Sequence, residues 1–288
     1  MQALAKWLLA RPNNAVLGLI VTLLLPAPQL TSGAILALLI LAQGKRLAVL
    51  EASAAAAILA AVNLAFGGSF ESVVMLIVGT WVPVALLVVL LAMGRSLTLA
   101  TQVSVVVALA AMLIFQVAVP DHDIFWKPYL DLMVAVVEEN GLQLDMSVLT
   151  GEVMTITAVL VYWILYTVAM FTGYWLYRKL PFETSNFGRF RDLNFGRVIA
   201  IATALASSLA FVIGAPWLQN IAFILFVMFM MQGLAIAHWL RGERILPMFA
   251  LVAVYILLPF LQVLLVMVLA LIGYTDAWFG FRRRFTKA

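Results

Sequence analysis

The feature that most constrains this chain is a succession of apolar runs, each close to the length of a bilayer crossing, with very little between them. Runs at 47–66, 72–93 and 97–119 are separated only by "GGSFES" and by "GRS" around Arg95. A helix rises about 1.5 Å per residue, so about 20 residues cover the roughly 30 Å of bilayer hydrocarbon. Further runs follow at 151–177, 196–213 and 217–240, the last two joined by "GAPW". Hydrocarbon offers the backbone no hydrogen bonds, so such runs must be helices. The expectation is an all-α, polytopic helical membrane bundle forming one integral-membrane domain over 1–288. Composition agrees: 66% of residues are hydrophobic and 10% charged, and mean hydropathy is +1.12, against roughly 45–50% apolar and about 25% charged in soluble domains.

The two ends are less regular. "MQALAKWLLARPNN" carries Lys6, Trp7 and Arg11 and reads as an interfacial helix. Pro26 and Pro28 stand where a small-residue cleavage site would be expected, so the segment reads as uncleaved. The apolar stretches Ala15 to Leu25 and Thr31 to Ala42 flank "PAPQ", and the final run, 245–273, is broken by Pro259. If each broken run is one kinked span, the bundle has about eight crossings. If each is a hairpin, it has up to ten apolar segments. Basic residues gather on the cytoplasmic side of membrane proteins, and only the hairpin threading puts Lys6, Arg11, the 178–197 loop and the 282–287 tail on one side. That threading makes both termini cytoplasmic. It leaves 120–150 outside as an acidic loop with Asp121, Asp123, Asp131, Glu138, Glu139 and Asp145 against Lys127. Within it, Leu130, Met133, Val134 and Val137 recur at helical spacing, so a short amphipathic helix is expected, with Pro128 at its start and Asn140-Gly141 at its stop.

The chemistry-bearing inventory is short. There is no GxxxxGK[ST], HExxH, GxSxG or GxGxxG, so no catalytic residue is proposed and the chain reads as a non-enzyme. With no cysteine, a disulfide or a Cys-zinc site is excluded. His122 and His238 have no ligand-spaced partners, and no metal or cofactor is expected. The net charge of +4 sits in short clusters beside apolar runs, which suits a lipid bilayer as partner and not nucleic acid. Amides inside apolar runs are either bundle glue or ligand contacts. Asn220, Gln232 and Gln262, close to the Pro-interrupted final segment, are the candidate ligand-binding set for an unknown small molecule. Ala52, Ala56 and Ala60 recur every four residues and could pack within the bundle or dock another membrane subunit. Glu51 is expected to reach the interface or to pair with Lys45 or Arg46. Asp276, a lone acid in "LIGYTDAWFGFRRRF", is expected to lock the C-terminal segment by pairing with Arg283, or with Arg189 or Arg191 of the basic loop.

The stretches "YRKLPFETSNFGRFRDLNFGR", "QNIAFILFVMFMMQGLAIAHWL" and "LIGYTDAWFGFRRRF" resemble the YybS-like family of uncharacterised bacterial membrane proteins, which is grouped at fold level with the S components of energy-coupling-factor transporters. The resemblance covers about the last 110 residues. It implies residence in the bacterial inner membrane and a small-molecule-binding fold. Alanines at four-residue spacing also resemble the docking helix of S components. There the helix is the first span, whereas here it is the third apolar segment. Two functions stay open: a small-molecule-binding or transport-type subunit, and a non-transporting scaffold or assembly factor that acts through its loops.

Overall fold

The computed structural model describes residues 2–141, 149–181, 184–258 and 260–282. Twelve α-helices and no strand occur among them. Seven of the helices are long and apolar enough to cross a membrane, and three shorter apolar helices accompany them. The chain is a polytopic helical bundle. Its internal packing falls into two compact units, Met1–Ser104 with Tyr162–Phe190, and Val105–Val161 with Arg191–Ala288.

In the first unit, α1 (Gln2–Ala10) leads to α2 (Pro12–Leu23) and α3 (Pro28–Gln43), each of the latter two opening on a proline in the first turn, where its missing N–H is not needed. Thr31 Oγ1 donates to Thr22 O at 2.8 Å and Ser32 Oγ to Leu19 O at 3.2 Å, so α2 and α3 run antiparallel and the first broken run is a hairpin. Helix α3 is buried without interruption from Ser32 to Ile40. Glycines let its neighbours approach it. A Cβ on Gly33 would lie 2.9 Å from Val84 of α5 (Phe70–Gly94), and one on Gly173 of α8 (Gly151–Tyr177) would lie 2.3 Å from Ala37. Gly44 alone, at φ +87°, joins α3 to α4 (Lys45–Ala65), so the chain reverses at once. Because α2 and α4 run against α3 while α5 and α8 run with it, Arg11, Lys45, Arg46, Arg95, Arg178 and Lys179 all fall at one end of this unit. Glu51 differs from expectation. It is 5% exposed and accepts from the Gln43 side chain, because its position on α4 faces inward and not toward Lys45 or Arg46.

In the second unit, the first turns of α7 (His122–Glu139) pack on the end of α6 (Leu97–Ala118) and the start of α8. Phe115 of α6 stacks on His122, and Trp126 Nε1 donates to Thr155 Oγ1 of α8 at 2.8 Å. The amphipathic helix expected in the acidic stretch is present, but Pro128 lies in its interior. The start is set by Asp121, whose Oδ1 accepts from Ile124 N at 2.9 Å and caps the first turn. Asn140 and Gly141, at φ +71°, end it as expected.

Helices α9 (Gly196–Ile213) and α10 (Pro216–Gly242) form an antiparallel pair across Gly214, at φ +69°. The most apolar window of α10 is 78% buried against 17% for α9, so α10 is the central element of its group. It packs backbone to backbone on α12 (Gln262–Phe279): a Cβ on Gly233 would lie 2.0 Å from Leu269 O, and one on Gly273 would lie 2.1 Å from Phe229 O. The C-terminal ends of α10 and α12 both meet Arg191, which lies against Gly242 and accepts on its carbonyl from Arg282. The two helices therefore run in the same direction, and α11 (Met248–Leu257) with its connection must return the chain between them. Both Pro-broken runs reverse direction, so seven long and three shorter helices make ten apolar segments.

Candidate functional site

Two places concentrate polar chemistry, and both lie in the second unit. The first is at the end of α12. There Gly280, at φ +60°, takes the left-handed conformation that closes a helix without a Cβ penalty. The chain folds back, and Arg282 meets the last turn it has just left. Its Nη2 donates to Asp276 Oδ2 at 2.8 Å and its Nε to the same oxygen at 3.2 Å. The guanidinium also donates to two backbone carbonyls, through Nη1 to Arg191 O at 2.8 Å and through Nη2 to Leu193 O at 2.7 Å. Gln232 closes the arrangement: Nε2 donates to Asp276 Oδ2 at 2.9 Å, and Oε1 accepts from Phe195 N at 2.8 Å. With Asp276 1% exposed and the Arg282 side chain 11%, this is a buried arginine clasp that joins α12, α10 and the lead-in to α9. Such a pair is held by geometry and by its extra hydrogen bonds, because desolvation consumes most of the Coulombic gain.

The sequence points to Asp276 and to the basic loop, and the partner found among the described residues is Arg282. A helix continuing past Gly280 would favour spacing i, i+7; the glycine reversal favours i, i+6. Arg283 lies outside the described residues. Arg191 takes part through its carbonyl, while its Nε stays 3.9 Å from Asp192 Oδ1. Arg189 is exposed. Of the candidate ligand set, Gln232 has both ends of its carboxamide engaged inside the protein, Asn220 is half-buried on α10, and Gln262 is exposed at the start of α12. Asn220 and Gln232 lie about 18 Å apart along one helix at 1.5 Å per residue, so the structure does not bring the three together. Ala52, Ala56 and Ala60 pack against the first unit's own core.

The second place is a pocket of about 490 Å³ where α6, α7 and α8 meet, lined by Gln116, Pro120, Asp121, His122, Asp123, Thr150 and Glu152. Asp121 caps α7, and Asp123 Oδ1 accepts from Gly151 N at 2.6 Å, which caps α8. Each aspartate commits one oxygen to a helix start, where negative charge is favourable. Glu152 adds a third carboxylate, and no lysine or arginine lines the wall among the described residues. Gln116 presents a carboxamide from the last turns of α6. No group of three or more His, Cys, Asp or Glu side chains suited to a metal ion occurs among the described residues. The sequence shows the acids but not the pocket. Gln116 lies in an apolar run far from Glu152 in sequence, and only the packing of the end of α6, the first turn of α7 and the start of α8 brings them together.

The fold defines a multi-pass helical membrane protein that contacts the lipid bilayer. No family model matches the chain, nor does any curated protein or solved structure.

Proposed function

We propose that this chain is a solute-binding membrane subunit of transport type, and that its ligand is a small organic cation held in the pocket formed by α6, α7 and α8. One observation carries the reading: a polar pocket of about 490 Å³ whose described lining has three carboxylates, one histidine and no lysine or arginine, within the roughly 300–1,000 Å³ typical of small-molecule sites. The resemblance to the YybS-like family and to S components supports it. We further propose residence in a bacterial inner membrane with both termini cytoplasmic, because the basic residues of the first unit lie at one end. The test is thermal unfolding of the detergent-purified protein with a quaternary ammonium ion, a primary amine, a neutral sugar and a dicarboxylate. One of the two cations should raise the midpoint by several degrees, and Glu152→Gln or Gln116→Ala should abolish that rise while leaving the ligand-free midpoint within about 2 °C, as for surface substitutions. Stabilisation by the dicarboxylate alone, or a cation effect that survives both substitutions, sinks the proposal. A second reading, a scaffold or assembly factor, is favoured by the exposed Asp131, Glu138 and Glu139 on α7. Under it no solute stabilises the protein, and charge reversal at these three positions disrupts a complex recovered from membranes.

A further inference from the structure

Helix α5 carries a proline in its interior, Pro83. Proline has no N–H, so the carbonyl four residues earlier, that of Gly79, loses its helical donor. In a membrane such a freed carbonyl has to be satisfied by a neighbour. Here the hydroxyl of Tyr166 on α8 donates to Gly79 O. One side-chain hydroxyl thus replaces a missing backbone bond, and Gly79 itself has nothing within 4 Å of where a Cβ would stand. Two more hydroxyls flank this point. Thr80 and Thr167 are both 0% exposed, and neither Oγ1 has a hydrogen-bond partner. Fully buried, unsatisfied hydroxyls are uncommon and mark places where packing is not at its optimum.

The half of α5 before the break also has somewhere to go. A wholly apolar groove of about 310 Å³ separates Val74, Ile77 and Val78 from Ala56, Ala57 and Ala60 of α4. Small side chains on one wall leave that space open. We propose that Gly79–Pro83 is a hinge, that Tyr166 is its catch, and that the 70–78 half of α5 closes onto the alanine face of α4 when the catch releases Gly79 O. The two threonine hydroxyls are unsatisfied in the open arrangement and change surroundings as α5 bends. The alanine stripe on α4 then serves as the seat for a moving half-helix. This inference is independent of the solute pocket.

The chain has no cysteine, so an introduced pair is unambiguous. Ala57→Cys with Val74→Cys spans the groove, and a disulfide needs Cα atoms within about 4.4–6.8 Å of each other. In proteoliposomes treated with oxidant, the pair should cross-link slowly, and Tyr166→Phe should raise the rate about fivefold, the change that one interhelical hydrogen bond makes in a two-state ratio. Adding Pro83→Ala, which gives Gly79 O back its helical donor, should return the rate to the starting value. An unchanged rate on Tyr166→Phe, or an increase that Pro83→Ala does not reverse, overturns the hinge. Should Tyr166→Phe fail to fold, hydrogen exchange on the unmodified protein decides: amides at 80–86 must exchange faster than those at 163–172. Equal protection in the two stretches overturns the proposal.

Discussion

Arg282 donates four hydrogen bonds to three acceptors, so no shorter or rounder cation can replace it. A lysine supplies a point charge without the planar fork. Removing either partner of a buried pair leaves the other charged and unpaired, at a cost of about 3–5 kcal/mol. Asp276→Ala and Arg282→Ala should each lower the thermal midpoint strongly in detergent. Arg282→Lys should recover only part of the loss, because the bonds to Arg191 O and Leu193 O need the guanidinium. A lysine variant as stable as wild type would show that charge alone matters. Gln232→Ala should cost about 1–3 kcal/mol by orphaning Phe195 N. At this scale the sequence was half legible. Asp276 stands out because acids are rare in apolar runs. Its partner does not, since consecutive arginines look alike and it is the backbone reversal at Gly280 that brings Arg282 to Asp276. Gln232 is legible as a buried amide, but its engagement depends on Phe195 N, a backbone group with no sequence signature.

Among elements, the α10–α12 contact is the tightest backbone approach, and Gly233 and Gly273 allow it. A methyl group on Gly273 would meet a carbonyl oxygen at 2.1 Å, which no rotamer change can relieve. Gly273→Ala should therefore separate the helices and cost about 1–3 kcal/mol. Gly79→Ala enters open space and should be tolerated. Comparing the two midpoints in one detergent checks the argument; equal effects would mean that the close approach carries no weight. Apolar run length locates nearly every membrane helix, and helical spacing locates α7. The proline start signal misplaces the beginning of α7 at Pro128, because the cap that starts the helix is Asp121, seven residues earlier. The placement of basic residues, and not run length, is what favours the hairpin threading in the sequence. Run length alone could not separate a kinked span from a reversal.

For the molecule as a whole, the testable statement is its orientation. With Lys45, Arg46, Arg95, Arg178 and Lys179 at one end of the first unit, the rule that basic loops stay cytoplasmic orients it. Single cysteines replacing Gln2 and Asn140 should be labelled by an impermeant maleimide in intact cells only at Asn140. Labelling at Gln2 from outside would reverse the assignment. The pocket formed by α6, α7 and α8 is the least legible part of the chain. Three helices that meet only in the folded state contribute its walls, and a one-dimensional pattern carries no trace of that meeting. The enclosure of α3 bears on bilayer thickness. At 16 residues it is about 24 Å long, short of the roughly 30 Å of hydrocarbon. A lipid-facing helix of that length would pull headgroups inward. No residue of α3 is exposed, so it is exempt from hydrophobic mismatch. Helices α5, α8 and α10, with 25, 27 and 27 residues, exceed the hydrocarbon width and meet it by tilting. Lipid chain length therefore acts on this protein through the inclination of its long helices, while α3, enclosed within the first unit, stays indifferent to the membrane around it.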